Sequence, residues 1–158
     1  MTDETPAATP ARSAAPSPAE DRYGSSRAVA AGDFVLVAGC TARRPDGVLD
    51  HEGDPYGQTV AAFAAALDAL AEHGLGAADV VRTRIYLTHL RDRDEAARAH
   101  QELFAAVRPV TTVVVVQALT DSRTMVEVEV DAHRARPADS STRTPDRTSD
   151  RISEGTQP

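Results

Sequence analysis

The sequence predicts a single α/β (α+β) domain, a mixed sheet built in the order ββ-α-β-α-ββ with two helices on one face. Three observations predict it. Apolar residues recur at helical spacing in two stretches, Val60–Ala71 and Ala96–Val107. Runs rich in β-branched residues stand before, between and after those stretches. Each helix is therefore a crossover between strands, and right-handed crossovers bring both helices to the same side of the sheet.

Ser26–Ala31 reads as a short strand, turned by Gly32-Asp33 into a second, mostly apolar strand, Phe34–Thr41. Pro45-Asp46-Gly47 and Gly53-Asp54 mark the next stretch as a loop. Asp54-Pro55 starts the first helix, with Asp as the cap and Pro at the first helical position. Val60, Phe63, Ala64, Leu67, Leu70 and Ala71 form its apolar face, His73 stands in its last turn and Gly74 ends it. Val80–Leu87 alternates, with Val81, Thr83, Ile85 and Leu87 on one face and Arg82, Arg84 and Tyr86 on the other. Asp94–Val107 is the second helix, with Ala96, Ala97, His100, Leu103, Phe104 and Val107 towards the core and Pro109 stopping it. Thr111–Gln117 is an unbroken β-branched run, which predicts a strand covered on both faces. Met125–His133 sets Val126, Val128 and Val130 against Glu127, Glu129 and Asp131.

The ends differ from this pattern. Residues 1–21 carry four prolines among Ala, Ser and Thr, and residues 136–158 are mostly Asp, Arg, Ser, Thr and Pro around an isolated Ile152. Neither buries enough apolar surface to offset chain entropy, so both are expected to be disordered tails around a domain at 22–135. The net charge of −7 argues against a nucleic-acid partner. All 17 basic residues are Arg, which excludes Schiff-base chemistry through a lysine. Cys40 is the single cysteine, so no internal disulfide forms. With no 18-residue apolar run and no secretory pattern at the start, no membrane segment is expected and the cytoplasm is the default compartment. Two helices on one face leave the other bare. Its valines predict burial against sister subunits.

The residues then resemble a known family. Ser26-Arg27-Ala28-Val29 followed by Gly32-Asp33-Phe34-Val35-Leu36-Val37-Ala38-Gly39 resembles the opening of the RidA (YjgF-type) family. Asp79–Leu87 resembles its central strand, Arg108–Val116 with Leu119 its "P-A-R-S" segment, and Met125–Ala132 its closing acidic strand. The match runs in order through nearly the whole domain. It implies a RidA/chorismate mutase-like fold, a homotrimer with clefts between subunits, and hydrolytic deamination of enamines or imines without cofactor or metal. Either Val114→Asp or Val115→Asp, whichever faces the threefold axis, is expected to break that trimer.

By the same resemblance, Glu127 matches a glutamate that holds a water. The sequence departs from the family at the arginine that grips a substrate carboxylate: Thr111 stands there, and a hydroxyl carries no charge. Cys40 replaces a glutamine after Gly39, and Ser25 replaces a tyrosine. The candidate substrate-binding residues are Thr111, Thr112, Val113, Gly39, Cys40, Arg27 and Arg84, with Glu127 catalytic. Thr111 and Thr112 offer hydroxyls or fill a strand; Gly39 allows close approach of a ligand or marks a bulge. Cys40 reads as a cleft-lining thiol, a nucleophile or a small buried hydrophobe. Arg27 and Arg84 could replace the missing cation or pair across the sheet; Glu127 could equally belong to that acidic strand face. His51-Glu52-x-Asp54 lacks the spacing of a metal site, so none is expected. The reading is a cofactor-independent enzyme acting on an enamine, imine or related reactive metabolite. The alternatives are a non-catalytic trimeric module that binds a small ligand, or a protective, chaperone-like role.

Overall fold

Six strands form one mixed sheet in a computed structural model that describes residues 10–12 and 18–135. In chain order they are β1 (Ala11–Arg12), α1 (Pro18–Tyr23), β2 (Ala28–Ala31), β3 (Phe34–Cys40), α2 (Pro55–Ala71), β4 (Val80–Leu87), α3 (Arg93–Phe104), β5 (Val110–Val115) and β6 (Val126–His133). The strand order across the sheet is β1-β2-β3-β6-β4-β5. Neighbours are antiparallel except β4 and β5, the parallel pair joined by α3. This is the α+β domain that the alternation and the two helical stretches predict.

The local chemistry is as the sequence reads. Gly32 takes φ +63° in the β2–β3 turn, a conformation in which a Cβ is strained. Asp54 caps α2 by accepting a hydrogen bond from the Gly57 N–H at 3.0 Å, with Pro55 next to it. Helix α2 packs on β3 and β6, and α3 packs on α2. Phe63 and Phe104 meet edge to face at 5.1 Å over Val126, Val128 and Val130, and all five are fully buried. Gln58 is buried too. Its amide donates to the carbonyls of His51 and Arg123 and accepts from the Met125 N–H at 2.7 Å, pinning two loops to the helix.

Four expectations are corrected. Val81 does not face the core; it is 41% exposed and Val80 is buried in its place. The β4–β6 register shifts between Val80 and Arg82, so Val81 is the extra residue and the inward face restarts at Thr83. The helix faces turn as well: on α2, Ala64 and Ala71 are exposed and Ala62, Ala66 and Ala69 buried, and on α3, Ala99 is buried and Ala97 exposed, with the helix ending at Phe104 rather than Val107. Strand β5 is not covered on both faces: all six of its residues are exposed in the single chain. It is the edge strand, beyond the part of the sheet on which α2 lies. Lastly, the domain boundary placed at Arg22 falls inside α1. Ala11 and Arg12 pair with Ala30 and Val29, and Glu20 is buried where it meets Arg27. The composition of that stretch concealed two anchor points, a short paired strand and a buried carboxylate. Residues 1–9, 13–17 and 136–158, the greater part of the expected tails, lie outside the described residues.

Candidate functional site

An irregularity in the sheet builds the first half of the site. Between β3 and β6 the pairs Val37↔Val130 and Cys40↔Val128 enclose three steps on one strand and two on the other. Val37 and Cys40 therefore both face the core, and Gly39 is left over beside Glu127. A Cβ at Gly39 would lie 1.9 Å from Glu127 Oε1, so the carboxylate occupies the space a side chain would need. Arg27, just before β2, donates from its guanidinium to the Gly39 carbonyl at 3.1 Å and reaches Cys40 Sγ at 3.5 Å. Its Nε meets Glu20 at 2.9 Å.

The electrostatics follow from that packing. Partial burial pushes the Glu127 carboxyl above its ordinary value, Glu129 adds to the rise, and the charge of Arg27 opposes it. Burial likewise raises the Cys40 thiol against the pull of Arg27. Cys40 is 1% exposed, donates to the Ala38 carbonyl and belongs to the core cluster. A cavity of about 250 Å³ opens beside this group, lined by Arg12, Glu20, Asp21, Gly24, Ser25, Ser26 and Arg27.

The other candidates lie elsewhere. Arg84 pairs with Glu129 at 3.1 Å and approaches Asp131 at 3.8 Å, a cross-strand ladder that Arg82 joins at 3.7 Å. Thr112 lies opposite Arg84 on that same open face. Thr111 and Val113 lie opposite Thr83 and Ile85, on the helix side of the sheet. The Thr111 hydroxyl meets Thr83 Oγ at 2.9 Å and His100 Nε2 at 3.2 Å. Thus the structure brings together Arg27, Gly39, Cys40 and Glu127. It separates them from Thr111 and Val113, which belong to the opposite face of the sheet from Glu127 within one chain.

Two participants escaped the sequence reading. Glu20 sat in a stretch expected to be disordered. His100 was expected to be packing alone; the signal for more was Thr83, a hydroxyl on an otherwise apolar inward face. Among the described residues no group of three or more His, Cys, Asp or Glu is placed to hold a metal, and no helix is long and apolar enough to cross a membrane. His51 Nδ1 lies 3.9 Å from Asp54, the residue that caps α2.

Comparison with known proteins agrees with this fold. Residues 12–134 match the family described as Endoribonuclease L-PSP. SCO2049 of Streptomyces coelicolor, itself uncharacterised, is 58% identical over 118 residues, covering 75% of this chain and 87% of that protein. The crystal structure of Rv2704 from Mycobacterium tuberculosis, a member of the YjgF/YER057c/UK114 family, is 37% identical with a TM-score of 0.71 over 79% of this chain and 99% of that one. Yeast Mmf1 superposes with a TM-score of 0.67 at 25% identity, over 83% of this chain and 98% of that one. With the family pattern spanning the described sheet and a 37% identical relative covered almost end to end, the chain belongs to the YjgF/YER057c/UK114 (Rid, L-PSP) family.

Proposed function

We propose that this protein is a cofactor-independent hydrolase of imines, enamines or related reactive small metabolites, working in a cleft between copies of the chain. The observation that carries the reading is Glu127, a half-buried carboxylate with a raised pKa, seated against the backbone of Gly39. A raised pKa makes the carboxylate a stronger base towards a bound water. Water adds to the imine carbon as Glu127 takes its proton. That proton passes to nitrogen, giving a carbinolamine; Glu127 then takes the carbinolamine hydroxyl proton and delivers it to nitrogen as the C–N bond breaks, so that a carbonyl compound and ammonia leave. Arg27 holds the Gly39 carbonyl and balances the charge of Glu127. A net charge of −7 does not favour a polyanionic substrate, whatever the family's description as an endoribonuclease.

The cleft needs a second copy, because Thr111 and Glu127 serve opposite faces of one sheet. The open face supports a trimer. Phe34, Leu36 and Val114 lie 47%, 45% and 41% exposed there, and among the described residues β5 is the outermost strand on its side of the sheet. Closure around a threefold axis covers the face and protects the edge. Sedimentation equilibrium should return about three chain masses. Val114 shares the open face with Tyr86, whereas Val115 lies opposite Leu87 on the helix side. Val114→Asp is therefore the change expected to give monomers, by forcing carboxylates together in an apolar contact. A wild-type monomer at micromolar concentration would contradict the cleft.

The function is tested by incubating the protein with freshly generated 2-aminoacrylate and a panel of other imines, following carbonyl release. Absence of turnover on every member would overturn the hydrolase. The second reading, a non-catalytic ligand-binding module, is favoured by the uncharged Thr111. Ligand binding without any turnover, unchanged by Glu127→Ala, would establish it instead.

A further inference from the structure

Thr83, His100 and Thr111 form a polar group where β4, β5 and α3 meet. Thr83 Oγ lies 2.9 Å from His100 Nε2 and 2.9 Å from Thr111 Oγ, which is itself 3.2 Å from the same ring nitrogen. Thr83 is buried, His100 half-buried and Thr111 exposed, so the group runs from the core to the surface. The ring of His100 is held by Phe63 and Phe104, at 5.6 and 4.9 Å between centroids. Burial alone acts on its titration and lowers its pKa, which leaves the imidazole uncharged at neutral pH.

An uncharged imidazole nitrogen either donates or accepts, and each hydroxyl can do both. The chain of three therefore has two orientations. In one, Thr111 donates to Thr83, Thr83 donates to Nε2, and the Thr111 oxygen offers lone pairs outward. In the other, Nε2–H donates to Thr83, Thr83 donates to Thr111, and the Thr111 hydrogen turns outward. Without a ligand that hydrogen has the Pro109 carbonyl within reach at 3.2 Å. The exposed end thus meets either a carbonyl oxygen or an N–H, and contributes no charge to a carboxylate. Val113 and Val115 continue the same face of β5, exposed by 43% and 47%. Successive side chains on that face are about 7 Å apart, so an apolar strip begins where the hydroxyl ends.

We infer that the Thr83–His100–Thr111 group is a binding subsite for an uncharged polar function, such as a carboxamide, ketone or neutral imine, whose apolar substituent lies along Val113 and Val115. It makes the cleft selective for neutral over carboxylate-bearing ligands. The inference rests on the proposed function only in placing β5 along the cleft.

The test uses two stable product-like probes of equal shape, 3-methyl-2-oxobutanamide and 3-methyl-2-oxobutanoate, titrated calorimetrically into the full chain. The ring nitrogens of His100 are followed by NMR. The carboxamide is expected to bind at least tenfold more tightly than the carboxylate and to shift the His100 resonances. Thr111→Val keeps the shape and the Thr83–His100 bond, and should weaken carboxamide binding at least fivefold. Thr111→Arg should invert the preference. Equal affinity for both probes, no binding of the carboxamide, or binding unmoved by Thr111→Val would overturn the subsite. Failure of the hydrolase reading looks different. If carboxamide binding depends on Thr111 while no imine is turned over, the subsite stands and the hydrolase falls.

Discussion

Glu127→Gln is expected to lower imine hydrolysis by about 100- to 1,000-fold while the sheet remains folded, the size of effect a positioned general base supplies. The amide fills the place beside Gly39 but cannot take a proton. Wild-type activity should fall as the pH drops through the raised pKa of Glu127, because the reactive form is the carboxylate. The effect on stability has the opposite sense. A carboxyl whose folded pKa lies above its unfolded value favours the fold most when protonated, and that contribution is lost as pH rises through the folded pKa. Near pH 7, Glu127→Gln should therefore unfold no earlier than wild type, and somewhat later. Rate–pH profiles and thermal melts on the same samples measure both. A variant that keeps most of its activity, or an acid limb at the usual carboxylate pH, would remove Glu127 from the chemistry.

Phe63→Ala should cost about 3–5 kcal/mol, the range for truncating a buried aromatic. Phe63 is fully buried between α2 and α3 and packs edge-on against both Phe104 and His100. Alanines line much of that face, which limits refilling of the space: Ala62, Ala66, Ala69 and Ala96 are all buried. For a domain of this size the melting temperature should fall on the order of 15 °C, measured at fixed protein concentration because assembly adds to stability. Urea titration should show a lower midpoint with little change in slope. A loss below about 1 kcal/mol would mean that the helices close over the gap.

The parts of the fold that were legible in the sequence are those set by local chemistry. Asp54-Pro55 caps a helix wherever it stands, and Val126, Val128 and Val130 alternate because a strand alternates. What escaped depends on which elements become neighbours. Val81 and Val80 are equally apolar; only the shifted register against Ala132 and Asp131 decides which one turns inward. Four valines in a row suggested a strand covered on both faces, yet β5 sits at the edge, a position fixed by strand order rather than composition. In the candidate site, Glu127 and Gly39 could be named from the resemblance, but not their contact, which arises from the unequal count of residues between β3 and β6. Arg27 was named without the buried partner in α1 that fixes it. Thr111 was named without His100, because an imidazole on an apolar helix face has the same sequence pattern whether or not hydroxyls await it.

The shared space of Gly39 and Glu127 makes the two positions one unit of inheritance. Any side chain at 39 would displace the carboxylate, since even a methyl carbon would stand 1.9 Å from its oxygen. A lineage that replaces Gly39 must therefore turn, shorten or lose Glu127 with it, and the order of events matters. Shortening first leaves a folded, impaired protein, whereas filling first swings the Glu127 side chain out of its seat, since the nearest atoms a Cβ at 39 would meet all belong to that side chain. Gly39→Ala should be far less harmful in a Glu127→Ala background than alone, a dependence that a double-mutant cycle of melting temperatures would register.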